Sequence, residues 1–276
     1  MLSAAEIKKV LKENGLSVNK AMGQNFLILQ SKRDNIIGLC DIKRHETVLE
    51  IGPGLGALTE GIQPLCKNLI AVEKDKGFSV LLKDFFKSKD NTEIINSDIL
   101  KYLIPCLKNR IKIIGNLPYY ITSPVIFHLI AQKTLIDSIY ITVQKEVAER
   151  ITAKPGSKDY GISSLGVSYH CQADILCRIG KTEFFPQPTV DSSFLRLSIR
   201  EKPLVDVKDE NYLFSVIKAG FNQRRKTLFN ALHNAKALNL DKNVLAGAFD
   251  RLNLDLRVRA EQLELNKFAS LSDLLL

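Results

Sequence analysis

The chain has no run of about 18 apolar residues, so no segment reads as a transmembrane helix. Its first stretch, MLSAAEIKKVLKENG, lacks the apolar core of a signal peptide and carries Glu6 and Glu13, acids that a transit peptide avoids. A cytoplasmic location away from any membrane is therefore expected. Cysteine is sparse: Cys40, Cys66, Cys106, Cys171 and Cys177 are odd in number, scattered, and form no C-x-x-C pair. Only His170-Cys171 with Cys177 invites a metal reading. That cluster lies in SYHCQADILCRIG, which suits a buried strand or helix better, so reduced thiols and no metal site are expected. Internal repeats and low-complexity segments are also lacking.

What is present is an ordinary soluble composition, 45% hydrophobic and 25% charged, in 276 residues, enough for two domains. The formal net charge of +9 favours a polyanionic partner, because each phosphate contact releases condensed counterions. Charge alone does not make a nucleic-acid-binding protein.

From Thr47 onward, short apolar runs alternate with amphipathic stretches. TVLEI (47–51), NLIAVE (68–73), EIINS (93–97), IKIIGN (111–116) and SIYITVQ (138–144) read as strands. GALTEGIQPLC, KGFSVLLKDFF and SPVIFHLIAQ between them read as helices. That succession predicts a Rossmann-like α/β fold with a mostly parallel sheet. ADILCRIG (173–180) and SSFLRLSIR (192–200) follow without a long helix between them, which predicts an antiparallel edge. Beyond REKPLV the β-branched density falls and the pattern becomes helical to the end. The expected organisation is a basic, partly helical arm over 1–45, an α/β domain over 46–203 and a small all-helical domain over 204–276.

VLEIGPGLGALTE places Gly52, Gly54 and Gly56 between a buried strand and a helix, where a backbone without Cβ atoms approaches a ligand closely. Gly52, Gly54 and Ala57 also satisfy the dinucleotide fingerprint, with Glu73 at the spacing of a ribose-binding acid. Two features separate the cases. Glu50 precedes the loop, giving the E-I-G-P-G-L-G form of S-adenosylmethionine-dependent methyltransferases, and Asp98 ends the third strand. Gly52, Glu73, Asp98 and Asn116 thus stand at four successive strand ends, the edge where doubly wound sheets bind ligands. Glu73 can accept from both ribose hydroxyls, and Asp98 from the exocyclic amine of an adenine.

Asn116-Leu117-Pro118-Tyr119 ends the fourth strand. The amine of an adenine base is a poor nucleophile because its lone pair is delocalised into the ring. Acceptors aimed at its two N–H groups favour the tetrahedral geometry needed for attack on a sulfonium methyl. The Asn116 side-chain oxygen and the Leu117 carbonyl can be those acceptors, Pro118 fixes the chain direction, and Tyr119 can stack on the base. Neither a general base of shifted pKa nor a metal is required. The motif by itself indicates a planar amine without saying which. EFFPQPTVDSS supplies a stiff loop in which Phe184 or Phe185 can cover the other face of the base, the alternative being a core plug.

GQNFL (23–27), EIGPGLGALTE, NLPYYITSPVI, VQKEVAERITAKPGSKDYGISSL, FFPQPTVDSSFLRL and AGFNQRRKTLFNAL resemble, in this order, the bacterial small-subunit (16S) rRNA adenine-N6,N6-dimethyltransferases, the KsgA/RsmA family. The resemblance covers nearly the whole chain. It implies transfer of four methyl groups from S-adenosylmethionine to two adjacent adenosines near the 3′ end of 16S rRNA, within the immature small subunit, by a monomer. It adds Asn25 and Leu27 to the cofactor residues Gly52, Gly54, Glu73, Asp98 and Asn116. It makes Asn116, Leu117, Pro118 and Tyr119 the amine site and Phe184 the stacking partner. Tyr120 stands where asparagine is also common in that family. Arg224, Arg225 and Lys226, read as lying on one helix, become candidate RNA contacts, with Lys8, Lys9, Lys12 and Lys20 weaker ones. Three rivals remain in view. Resistance-type dimethylases of large-subunit rRNA share QNFL and the glycine loop, but AGFNQRRKTLFNAL argues against them. An assembly factor without activity is opposed by the intact loop and acids, and a dinucleotide oxidoreductase finds no hydride-transfer site downstream.

Overall fold

The computed structural model describes residues 1–18, 23–223 and 225–276. In chain order the elements are α1 (Ala4–Glu13), β1 (Phe26–Leu27), α2 (Gln30–Leu39), β2 (Thr47–Ile51), α3 (Ala57–Ile62), β3 (Asn68–Glu73), α4 (Lys76–Phe85), β4 (Thr92–Asn96), β5 (Ile111–Asn116), α5 (Thr122–Ile130), β6 (Ile136–Gln144), α6 (Lys145–Ile151), α7 (Ile162–His170), β7 (Cys171–Ile179), β8 (Phe184–Phe185), β9 (Ser192–Ile199), α8 (Glu210–Asn222), α9 (Leu228–His233), α10 (Lys242–Arg251) and α11 (Leu265–Leu275). They fall into two compact units. One comprises Met1–Ala148 with Asp174–Ile199, the other Glu149–Ala173 with Arg200–Leu276. This division differs from the boundaries read in the sequence. Residues 149–173 go with the helical unit, and the first 45 residues are part of the α/β unit.

The first unit is built on a seven-stranded sheet of order β4-β3-β2-β5-β6-β9-β7. β2, β3, β4, β5 and β6 run parallel, and β9 pairs antiparallel with β6, Ser192 lying opposite Gln144. The parallel strands are apolar on both faces because helices cover both, and Val48, Leu49, Ile113, Ile114, Ile139 and Ile141 are all fully buried. After β4 the chain returns to the other side of β2, so the direction of strand succession reverses between β2 and β5. That switch point opens a crevice at the carboxyl ends of the two strands, and Ile51 pairs there with Gly115. Gly115 admits this closeness, since a Cβ on it would lie 3.1 Å from Ile51 Cβ.

A separate two-stranded ribbon pairs β1 with β8, Phe26 opposite Phe185 and Leu27 opposite Phe184. It has no counterpart in the sequence reading, which places Phe26 and Leu27 in a partly helical arm and Phe184 and Phe185 in a stiff loop. Phe26 packs against Phe78 at 5.6 Å between ring centroids, and the two join Ile7 and Leu11 of α1 in a small core. The N-terminal arm is therefore packed onto the unit, and Lys8 Nζ lies 5.4 Å from the Phe185 ring centroid.

The second unit buries one core of its own, with Leu213, Ile217, Leu228, Leu232, Leu245 and Phe268 all fully enclosed. Its helices start where side chains can satisfy free amide N–H groups: Asp209 accepts from Tyr212 N and Asp241 from Asn243 N and Val244 N.

Candidate active site

The loop between β2 and α3 turns through Gly52, Gly54 and Gly56, all at positive φ, between +59° and +80°. A Cβ on Gly54 would come within 2.9 Å of the Phe26 ring, so a side chain here would collide with β1 as well as strain the backbone. The amide N–H of Gly54 donates to Glu73 Oε2 at 3.0 Å, and that of Asp75 donates to Oε1 at 2.8 Å. The carboxylate at the end of β3 is thereby locked against the glycine loop. Burial pushes the Glu73 carboxyl above its ordinary pKa, with the two amide N–H groups pulling the other way.

Asp98, just beyond β4, is held by Lys74 Nζ at 2.9 Å and by the amide of Leu100 at 3.0 Å. The hydrogen bond from Lys74 keeps its carboxyl below the usual aspartate range. Glu50, at the base of the cleft, is 1% exposed, and its Oε2 finds no hydrogen-bond partner among the described residues. Burial pushes its pKa up to about 8.

At the end of β5, Asn116 Nδ2 donates to the backbone carbonyl of Asn25 at 2.8 Å. A carbonyl only accepts, so the amide nitrogen must be the atom that faces it, and the Asn116 side-chain oxygen is left to point elsewhere. Leu117 is buried, and Pro118, at φ −57°, leads into a single 3₁₀ turn over Tyr119–Ile121. The Tyr119 hydroxyl shares a 2.7 Å hydrogen bond with Ser192 Oγ at the start of β9.

One cleft is lined by Asn25, Leu27, Gly52, Gly54, Glu73 and Asp98, and equally by Asn116 through Tyr119 and by Phe184. All of the candidate cofactor and amine residues are thus brought together. Phe184, only 3% exposed, lines the cleft and at the same time packs into the core with Leu27 and Ile36, whereas the half-buried Phe185 packs against the small core beneath α1. Sequence reasoning assigned no role to Ser192, Lys74 or Phe26. Lys74 was within reach as the residue after Glu73, but nothing in the sequence joins Ser192 to Tyr119. Such a cleft offers acceptors for ribose hydroxyls and an amine, with aromatic walls for a base.

A family model for ribosomal RNA adenine dimethylase matches residues 15–274. The chain belongs to that family. It is 38% identical to ribosomal RNA small subunit methyltransferase A of Halothermothrix orenii, over 97% of this chain and 91% of that protein. With the protein of the same name from Lachnoclostridium phytofermentans it shares 42% identity, over 97% and 94% of the two chains. Among solved structures, a dimethyladenosine transferase from Plasmodium falciparum superposes with a TM-score of 0.79 at 26% identity, covering 89% of this chain and 95% of that one. The 23S rRNA methyltransferase ErmE shares the fold, with a TM-score of 0.70 at 21% identity over 91% and 99% of the chains. The protein is accordingly an rRNA adenine dimethyltransferase with a class I methyltransferase fold, and ribosomal RNA is its class of substrate. Enzymes of this kind use S-adenosylmethionine.

The dimethylase's expected RNA contacts require a correction. Arg225 and Lys226 are exposed but not helical: they lie in the turn between α8 and α9. Gln223 leaves helical geometry at φ −125°, ψ 60°, and the Thr227 side chain opens a new helix by accepting from Asn230 N at 3.3 Å. Phe221 and Leu228 on either side are buried. Arg224 and Lys20 lie outside the described residues. Lys8, Lys9 and Lys12 are exposed on α1. Among the described residues no helix is long and apolar enough to cross a membrane, and no group of His, Cys, Asp and Glu could hold a metal ion.

Proposed function

We propose that this chain transfers methyl groups from S-adenosylmethionine to N6 of two adjacent adenosines near the 3′ end of 16S rRNA, acting as a monomer on the immature small subunit in the cytoplasm. The observation that carries this reading is the forced orientation of Asn116. Its nitrogen donates to the Asn25 carbonyl, which leaves its oxygen as the atom able to accept from an amine.

The cleft fits the cofactor. Each Glu73 oxygen accepts one backbone N–H and keeps lone pairs for ribose hydroxyls. Asp98, ionised beside Lys74, retains acceptor capacity for an adenine amine. The unpartnered Oε2 of buried Glu50, which lines the cleft, would be satisfied by a polar group of the bound cofactor. When bound, S-adenosylmethionine supplies an electrophilic methyl group on a sulfonium centre. The protein's part is to present the amine. Asn116 Oδ1 and the Leu117 carbonyl accept its two N–H groups and draw its lone pair out of conjugation with the ring. Tyr119 and Phe184 hold the base by its faces. The alkylated nitrogen loses its proton to water, so no side chain has to act as base.

The test offers the purified protein tritiated S-adenosylmethionine and ribosomal subunits lacking their adenine dimethylations, small and large separately. Label on adjacent dimethyladenosines of the small subunit is the expected outcome. Label on the large subunit, or tight small-subunit binding without label, overturns the reading.

A further inference from the structure

Tyr120 is anchored yet exposed. It follows Tyr119 in the 3₁₀ turn, lines the rim of the cleft and keeps 56% of its surface open to solvent. A 3₁₀ turn has three residues per turn, so successive side chains leave it about 120° apart. Tyr119 takes the inward direction, with its hydroxyl tied to Ser192, and Tyr120 is directed to the mouth. The ring is backed by chain: a Cβ on Gly23, at φ +62°, would lie 3.5 Å from Tyr120 Cδ1 and 3.2 Å from Pro118 Cβ. A glycine there lets the backbone come up beside the ring and support it. Lys74, half-exposed and bonded to Asp98, puts a cation among the residues that line the same cleft.

A cleft that admits one base leaves the neighbouring nucleotide of the strand at its mouth. Proteins hold single-stranded nucleotides by stacking bases on aromatic rings beside cations that meet the phosphates. We propose that Tyr120 is the stacking platform for the base next to the one whose amine enters the cleft, with Lys74 beside it toward the connecting phosphate. This subsite lies outside the amine pocket, and it rests on the rRNA reading above.

The test compares Tyr120→Phe, Tyr120→Leu and Tyr120→Ala on small subunits lacking adenine dimethylation, measuring KM for the subunit, kcat, and the Kd of S-adenosylmethionine by calorimetry. Loss of one base stack weakens binding by about 5- to 150-fold. The expected result is a subunit KM raised by about tenfold or more in the Leu and Ala variants, near the wild-type value in Phe, with cofactor Kd unchanged in all three. Leu keeps apolar bulk without a planar ring, so it separates stacking from simple packing. A Leu variant that matches Phe overturns the inference, as do an Ala variant that matches wild type and a cofactor Kd that weakens alongside KM. The wild-type control keeps the two readings apart. If wild type leaves small subunits unlabelled, the function reading itself falls, whereas labelling with an indifferent Tyr120→Ala removes only the subsite.

Discussion

The Tyr119 hydroxyl and Ser192 Oγ lie 2.7 Å apart, joining the turn after β5 to the first residue of β9 across 73 positions of sequence. Ser192 is fully buried, and its backbone is fixed in register opposite Gln144 of β6. The bond therefore ties the Tyr119 ring, which lines the cleft, to the rigid sheet. A buried hydrogen bond of this kind contributes about 1 kcal/mol. Ser192→Ala should lower kcat by about fivefold and leave cofactor affinity unchanged. Tyr119→Phe should do the same, and the double variant should be no worse than either single one. A double-mutant cycle on kcat checks this, and additive losses would show that the two groups act independently.

Asn116→Ala removes both the acceptor proposed for the amine and the donor to Asn25. Removing one oriented group of this kind costs about 10²–10³ in kcat. The variant should lose transfer by about that factor while binding small subunits within about twofold of wild type, because shape and phosphate contacts supply most of the affinity. Near-normal single-turnover rates would remove Asn116 from the chemistry.

Asp98→Ala leaves Lys74 without its partner and removes an ionised acceptor from the cleft. A hydrogen bond to a charged group contributes about 1.5–3 kcal/mol, so S-adenosylmethionine should bind at least about tenfold more weakly by calorimetry. Unchanged affinity would exclude Asp98 from the nucleoside site.

Much of this site was readable because strands of five or six residues announce themselves by composition. Thr47–Ile51, Asn68–Glu73 and Ile111–Asn116 begin and end where the apolar runs do. Once the strands are placed, the topology brings Gly52, Glu73, Asp98 and Asn116 to one edge. The β1–β8 ribbon was not readable. Two residues carry no periodicity, and Leu27 and Phe184 are far apart in sequence. The membership of residues 149–173 in the helical unit was hidden for a similar reason, since local pattern does not say which core a helix joins. The break between α8 and α9 was a different case. Thr227 ahead of LFNAL is a capping signal in plain view, and it separates Arg225 and Lys226 from the helix that follows.

Arg225, in that break, is exposed in a turn whose flanks, Phe221 and Leu228, are buried and hold it in place. If it meets an rRNA phosphate, Arg225→Glu should weaken small-subunit binding and lower the slope of log K against log salt by about one. Titrations at several salt concentrations decide it. An unchanged slope would mean that the turn faces solvent in the complex.

Glu50 makes stability depend on pH in a direction opposite to that of a salt-bridged acid. Its pKa in the folded protein is pushed up to about 8 by burial, against an ordinary glutamate value of 4.5. Below the ordinary value both folded and unfolded chains carry the proton, and the group has no effect. Between 4.5 and about 8 the unfolded chain releases the proton and the folded chain keeps it, so stability falls as pH rises. Above about 8 the loss is complete. Glu73, also raised by burial, acts in the same sense. Glu50→Gln keeps the shape and removes the titration. Its melting temperature should match wild type near pH 4.5 and exceed it by a margin that grows toward pH 8 and then levels off. Thermal unfolding across that range, without cofactor, measures the margin. A constant difference at every pH would mean that Glu50 is already ionised in the folded protein, through a partner that its unbonded Oε2 does not reveal.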